Sequence, residues 1–160
     1  VTIRHKRYSS LQRTVYENYN DFLDKPLGEF LLLLKEKNDD YYKKFLNKYG
    51  DLIYSIFWID EPEILGKKGI YIYIVNDDLR YVGRCLDNFK KRINQGYGII
   101  HPKNCYKDGQ STNCHINSLI TQNRYNVSLF VCPIENEEKV LDLEQDLIGK
   151  YKPTWNIASV

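Results

Sequence analysis

The sequence lacks a long apolar run, and this absence excludes a membrane-spanning helix. The run Phe30–Leu34 is far shorter than the ~20 apolar residues that cross a bilayer. No charged segment followed by an apolar one stands near the start, so the pattern does not indicate a secretory signal. We therefore expect a cytoplasmic protein that makes no contact with a membrane.

Charge of one sign is also scarce. The 160 residues include 23 Lys or Arg and 21 Asp or Glu, and the net charge of +2 is too small to identify a nucleic-acid-binding protein by itself. Internal repeats and low-complexity tracts are absent as well. With 42% hydrophobic and 28% charged residues, the composition excludes a disordered chain and fits a folded domain.

The sequence contains no C-x-x-C pair. Because a secretory signal is not indicated, we expect the four cysteines to be free buried thiols. A metal site is the less favoured alternative, because zinc ligands usually have tighter paired spacings. The cysteines are Cys85, Cys105, Cys114 and Cys132, and the metal alternative would use Cys105 and Cys114 together with His101 and His115.

Residues 1–65 predict a helical N-terminal extension. Apolar and aromatic residues recur at helical spacing over residues 15–23, and Pro26 suits the first turn of a helix that carries Phe30–Leu34. A third helix is predicted over residues 41–49, with a glycine after its end. For the tyrosines of this extension, core packing is the favoured interpretation and DNA contact is the alternative.

Residues 66–160 predict a domain with about three strands flanked by helices, and therefore an α+β fold. Gly69–Val75 is rich in β-branched and aromatic residues, as buried strands are, and a turn over residues 76–78 joins it to a second strand over Leu79–Gly83. A basic helix is predicted to begin at Asp87 and to end near Gly96 and Gly98. It is followed by a predicted helix over about residues 114–122 and a predicted strand over residues 126–132. The last predicted helix covers residues 136–151, and its apolar stripe consists of Val140, Leu141, Leu143, Leu147 and Ile148.

Charge is unevenly distributed within this domain. Residues 66–110 contain nine Lys or Arg and four Asp, whereas residues 136–150 contain five Asp or Glu and two Lys. A basic hairpin and helix beside an acidic helix can bind phosphates and hold a divalent cation. A solvated surface explains the same distribution, so the charges alone do not decide between the two.

Five short motifs in this domain occur in the order of one known family. They are Gly69-Ile70-Tyr71, Tyr81-Val82-Gly83, Arg92, Glu144 and Asn156. This arrangement resembles the GIY-YIG nuclease family over about residues 68–158. The resemblance implies a small β-sheet flanked by helices, and it implies that the protein hydrolyses DNA phosphodiester bonds with a Mg²⁺ or Mn²⁺ ion.

The resemblance also gives each motif residue a role. Tyr71 would deprotonate the attacking water, for which the ordinary phenol pKa of ~10 must be lowered. Tyr81 would position the water or the phosphate, and Arg92 would neutralise charge on the phosphate in the transition state. Tyr73 shares a strand face with Tyr71, and ordinary strand packing is the alternative for either tyrosine.

Further roles follow from the second half of the motif set. Glu144 would be the sole protein ligand of the metal ion, and a salt bridge to the basic helix is the alternative. Asn156 would join the parts of the site by hydrogen bonds. Arg84 would hold a phosphate oxygen or simply be an exposed arginine at the hairpin end. Gly83 would let the backbone approach the substrate closely.

One position departs from the family pattern. Many relatives carry His or Tyr four residues after the arginine, where this sequence has Gly96. The spacing from Gly83 to Arg92 is also one residue longer than in common members. Tyr97 or His101 could supply the missing group, and we favour Tyr97.

DNA is the expected partner. The candidate contacts are Lys90, Lys91, Lys103, Asn113 and His115, although helix capping explains the polar segment 109–117 equally well. Small size without a separate DNA-binding module favours a restriction or phage-defence endonuclease. The alternatives are a repair-type nuclease that nicks particular DNA structures and a binding module with a vestigial nuclease site. A homodimer is left open.

Overall fold

A computed structural model describes residues 3–7, 49, 54–100 and 112–156. The described part of the chain has the predicted α+β architecture, a three-stranded antiparallel sheet with helices. In chain order the elements are β1 (Arg4–Arg7), β2 (Ser55–Trp58), α1 (Pro62–Leu65), β3 (Gly69–Val75), β4 (Asp78–Cys85), a π-helix (Lys90–Tyr97), α2 (Thr112–Gln122), β5 (Val127–Pro133) and α3 (Glu137–Tyr151).

Strands β1 and β2 pair with each other and were not anticipated, since the patterns of the first 65 residues predict helices. The three helices predicted in that segment lie outside the described residues, except for Tyr49, the last residue of the third one. The division at residues 65 and 66 stays a prediction. None of the described helices is long and apolar enough to cross a membrane.

The three-stranded sheet has the order β4-β3-β5. A two-residue turn joins β3 to β4, and its residues Asn76 and Asp77 have φ angles of 48° and 67°, as hairpin turns that match strand twist require. Tyr73 pairs with Tyr81 but Ile74 pairs with Leu79, so one extra residue forms a bulge in β4. The predicted hairpin is therefore confirmed, and β4 is longer than predicted at both ends.

Helix α3 packs on one face of this sheet. Its Val140 is buried with Ile70 of β3 and Val82 of β4. The Asn136 side chain accepts a hydrogen bond from the Lys139 amide at 3.1 Å and so caps the helix where the sequence predicted its start. The partly buried residues packed there are Ile72, Leu79, Leu86, Ile134, Leu143, Leu147 and Ile148, which confirms the predicted stripe except for Leu141.

The basic helix has π-type rather than α-type spacing. Asn88 caps it by accepting a hydrogen bond from the Lys91 amide at 2.8 Å, so the predicted cap at Asp87 is wrong by one residue. Phe89 and Ile93 are fully buried, while the charged side chains between them are exposed. A hydrogen bond from the Phe89 amide to the Lys67 carbonyl, 2.9 Å long, fixes the chain at the helix start.

The chain forms two compact units. One contains residues 58–95 and the described residues from 123 onward, including the three-stranded sheet and α3. The other contains residues 54–57, 96–100 and α2. Within this second unit the buried Asn117 side chain accepts from the Ser55 amide at 3.1 Å and donates to the Ser55 and Tyr97 carbonyls at 2.8 and 2.7 Å.

The cysteines differ from one another. Cys85 is a free buried thiol, as expected. Cys132 is free but exposed, because it lies on β5 at the edge of the described sheet, and Cys114 is disulfide-bonded. The expectation of free buried thiols is therefore wrong for these two. The metal alternative involves His101 and Cys105, which lie outside the described residues.

Candidate active site

Three tyrosines form a cluster on one face of the sheet. Tyr71 and Tyr73 alternate along β3, and Tyr81 lies directly opposite Tyr73 on β4. The ring centroids are 6.0 to 6.1 Å apart in all three pairs, a spacing typical of attractive aromatic contacts. All three residues are buried. The structure therefore brings the tyrosines of both sequence motifs together and packs Tyr73 with them.

Gly83 lies directly opposite Tyr71 in the sheet. A Cβ atom at Gly83 would overlap the Cζ and hydroxyl atoms of Tyr71, because this ring covers the glycine. The sequence suggested that the glycine admits the substrate. The structure corrects that explanation, since the space beside Gly83 is occupied by Tyr71.

Gly69 begins the first motif for a different reason. Its φ angle is +148°, a conformation that residues with a side chain rarely adopt. A Cβ atom there would also overlap the Cys132 carbonyl oxygen and lie 2.8 Å from the Ile134 amide nitrogen. This glycine lets the end of β5 approach β3 closely.

The opposite face of the sheet carries an ion pair. Arg84 follows Gly83 and therefore points away from the tyrosines. Its Nη1 donates to Oε1 of Glu144 on α3 at 3.1 Å. The Arg84 side chain is 46% exposed and the Glu144 side chain 15%. The acid thus lies beside the predicted apolar stripe, but its ion-pair partner is on β4 and not on the basic helix.

Asn156 holds the outer edge of β4. Its Oδ1 accepts from the Val82 amide and its Nδ2 donates to the Val82 carbonyl, both at 2.9 Å. The Trp155 amide donates to the Arg80 carbonyl at 2.8 Å, and Trp155 is buried, as expected of a core residue. The C-terminal segment is therefore fastened to the strand that lies between the tyrosine cluster and the ion pair.

Arg92 is exposed on the π-helix, and its charge acts on Cys85. Burial raises the pKa of the Cys85 thiol, while a backbone hydrogen bond at Asp87 and the positive charge of Arg92 oppose that shift. Cys85 lies two residues after Gly83 and so on the tyrosine side of β4.

The geometry and the sequence motifs agree with a family comparison. The family model for the GIY-YIG catalytic domain matches residues 67–157, which is more than half of the chain. The chain belongs to the GIY-YIG nuclease family. It is therefore an endonuclease that hydrolyses phosphodiester bonds. No curated protein and no solved structure matches the chain.

The π-helix gives a physical explanation for the departure from the GIY-YIG pattern. In a π-helix, residues five apart are joined by hydrogen bonds, as residues four apart are in an α-helix. Tyr97 lies five residues after Arg92, which is the hydrogen-bond spacing of a π-helix. The spacing from Gly83 to Arg92, one residue longer than in common family members, is thus followed by a wider helical turn after Arg92. The role of Tyr97 in the GIY-YIG site stays a prediction.

The candidate DNA contacts differ in how exposed their side chains are. Lys90 and Lys91 are exposed on the π-helix. His115 is half-buried and stacks on Tyr49 with 4.1 Å between ring centroids. Asn113 is half-buried in α2, and Lys103 lies outside the described residues. Side-chain accessibility therefore favours the two lysines as phosphate contacts.

Glu144 is chemically suited to a divalent cation of the kind that GIY-YIG nucleases generally require. Among the described residues no group of three or more His, Cys, Asp or Glu could hold a metal ion. A single carboxylate, completed by waters and substrate phosphate oxygens, is the arrangement that Mg²⁺ accepts. Arg84 contacts Oε1 of Glu144, and Oε2 has no hydrogen bond to any described residue.

Sequence reasoning did not identify the partners in the contacts that support these residues. The ring of Tyr71 over Gly83 and the two bonds from Asn156 to Val82 join residues that are 12 and 74 positions apart. No local pattern reports such contacts. The only available signal was the motif order itself.

Proposed function

We propose that this GIY-YIG endonuclease cuts DNA with Mg²⁺ or Mn²⁺ and serves as a cytoplasmic restriction or phage-defence enzyme. One observation supports the active site: a single stretch of β4 adjoins the motif tyrosines, the proposed metal ligand and Asn156. Tyr81 and the Tyr71 ring over Gly83 lie on one side, and Arg84 with Glu144 lies on the other. Asn156 holds Val82 between them.

Hydrolysis needs a proton acceptor for water and compensation of the charge on the phosphoryl oxygens. In our proposal, the ionised phenolate oxygen of Tyr71 accepts the proton of the attacking water, and Tyr81 orients the water or phosphate. Arg92 binds the phosphoryl oxygens, for which its planar guanidinium is suited. Glu144 would hold the cation, which when bound supplies Lewis-acid stabilisation of phosphate charge.

The π-helix supplies the proposed DNA contact. Lys90, Lys91 and Arg92 are consecutive and exposed, and such side chains bind phosphates without reading the base sequence. In contrast, the acids Glu137, Glu138, Asp142 and Asp146 of α3 are exposed on another element. DNA is therefore expected to approach the basic helix.

Metal-dependent cutting is tested with a supercoiled plasmid in Mg²⁺ or EDTA. Glu144→Ala should abolish cleavage and leave DNA binding largely intact, because it removes the proposed metal ligand and leaves the basic residues of the π-helix unchanged. Asp146→Ala is the matched control, since it removes the same charge from an exposed position on the same helix. Wild-type activity of Glu144→Ala in Mg²⁺ would contradict the metal assignment.

The biological role is tested by substrate choice and genomic position. A restriction enzyme cuts plasmid DNA at discrete sequences, and a neighbouring DNA methyltransferase gene would support this role. Nicks confined to branched or damaged duplexes would instead support the repair-type alternative. DNA binding without any cleavage would identify a binding module with a vestigial site.

A further inference from the structure

We propose that Arg84 makes metal binding depend on DNA by occupying Glu144 until a phosphate takes its place. This inference rests on the proposed cation site at Glu144. In the free protein the guanidinium neutralises the acid, and a DNA phosphate that binds the guanidinium leaves the carboxylate to a divalent cation. DNA and metal would then each strengthen the binding of the other.

The two partners differ in exposure in the way that such an exchange requires. Glu144 is largely buried at 15% side-chain exposure, so leaving it without a partner is costly. Arg84 is 46% exposed, and its guanidinium can turn toward a phosphate in solvent without leaving a buried position. The acid therefore needs a cation at all times, but that cation need not be Arg84.

The contact itself is suited to exchange. The pair has one hydrogen bond of 3.1 Å, which is longer than the ~2.7–2.9 Å of strong charge-assisted bonds. Only Oε1 of the carboxylate accepts it. Among the described residues, neither side chain has a further hydrogen bond or ion pair.

Electrostatics gives the direction of the coupling. A guanidinium beside the carboxylate repels a divalent cation, so the free protein should bind metal weakly. A phosphate that pairs with Arg84 removes this repulsion and adds negative charge near the same carboxylate. Arg84 is a positioning residue in this account, because it acts on the metal through Glu144.

Binding of Mn²⁺ alone, followed by its electron paramagnetic resonance signal, tests the exchange without any cleavage. In the wild type, adding a short phosphorothioate-protected duplex should tighten Mn²⁺ binding by about 5- to 150-fold, the usual range of coupling between sites. Arg84→Gln should bind Mn²⁺ more tightly than the wild type without DNA, by a factor in the same range, and should gain less from the duplex.

Two controls make the result specific. Arg80→Gln removes the same charge from the same strand, but Arg80 pairs with Asp78 at 3.0 Å, so its Mn²⁺ affinity should match the wild type. Glu144→Gln should lose the Mn²⁺ site with or without DNA. Arg84→Met retains the apolar stem and replaces Arg84→Gln if that variant does not fold.

The outcomes separate this inference from the proposed function. Equal or weaker Mn²⁺ binding by the Arg84 variants without DNA would overturn the exchange and leave the metal site intact. Unchanged Mn²⁺ binding in Glu144→Gln would overturn the metal site itself. If Arg80→Gln tightened Mn²⁺ binding as much as Arg84→Gln, the change would be due to net charge alone. That result would also overturn the exchange.

Discussion

Tyr71 and Gly83 depend on each other sterically although they belong to different sequence motifs. The ring of Tyr71 crosses from β3 and lies where a side chain on Gly83 would lie. The ring is buried and contacts two more tyrosines, so it has little room to move away. The second motif thus ends in glycine because the first ends in tyrosine.

Replacement of Gly83 by alanine should therefore destabilise the protein. Overpacking of a well-packed region costs about 1–3 kcal/mol, and displacement of Tyr71 should also reduce cleavage. The free energy of unfolding, measured by denaturant titration, checks the first effect. Gly66→Ala is the control, because nothing lies within 4 Å of a Cβ at Gly66 and its stability should barely change. Equal stability of the two variants would show that the ring can move aside.

The hydroxyl of Tyr71 can be tested separately from its ring. Tyr71→Phe retains the aromatic packing and removes the atom proposed to accept the proton from water. General-base catalysis contributes about 10²–10⁴-fold, so single-turnover cleavage should slow by that factor while the fold persists. Tyr73→Phe changes a buried tyrosine on the same strand face and should lose far less. A folded Tyr71→Phe enzyme with normal activity would rule out the tyrosine base.

Two asparagine side chains each form a pair of hydrogen bonds to the backbone of a single residue. Asn156 binds both the amide and the carbonyl of Val82, and Asn94 does the same to Ile59, with both bonds 2.8 Å long. A carboxamide has one acceptor and one donor side by side, so it can satisfy a backbone residue as a neighbouring strand would. The edge of β4 in the described sheet and the residue that follows β2 are thereby each closed by a side chain.

Loss of the Asn156 side chain should loosen the outer edge of β4. Asn156→Ala leaves the amide and carbonyl of Val82 without their partners, which should lower the free energy of unfolding by about 1–3 kcal/mol. Hydrogen exchange at the Val82 amide should become faster as well. Thr154→Ala, two residues earlier at an exposed position, should change neither quantity. Unchanged exchange at Val82 in Asn156→Ala would contradict this assignment.

The charge of the whole molecule is nearly balanced, yet its exposed basic and acidic residues are distributed unevenly between elements. The π-helix presents three consecutive basic residues and α3 presents exposed acids. Because a net charge of +2 exerts little long-range attraction, DNA affinity should depend on the local basic group. The element that contacts DNA then decides the salt dependence of binding.

DNA binding should weaken steeply as salt increases. Each phosphate contact contributes ~0.9 to the slope of log affinity against log salt, because binding releases condensed counterions. Lys90→Gln with Lys91→Gln should therefore reduce the slope, as fluorescence anisotropy at several salt concentrations would show. Lys139→Gln on the acidic helix is the control for loss of an exposed lysine. An unchanged slope in the double variant would place the DNA elsewhere.

The amino-acid sequence by itself determined the elements that arise from local interactions. The β3–β4 hairpin, β5 and α3 were predicted because alternation, turn residues and the Asn136 cap act over a few neighbouring positions. Membership of the GIY-YIG family also followed from the order of short motifs, and the family match over residues 67–157 confirms it. Nuclease chemistry was therefore accessible without any contact between distant residues.

Only the tertiary structure decided which residues meet. The register of β3 and β4 places Tyr71 over Gly83, and the packing of α3 brings Glu144 to Arg84 rather than to the basic helix. The π-type turn after Arg92 likewise replaces the predicted regular helix. The first two of these features depend on strand register and on helix packing between residues far apart in sequence. Local propensity carries no information about such long-range contacts, so the sequence could name the candidate residues but not their partners.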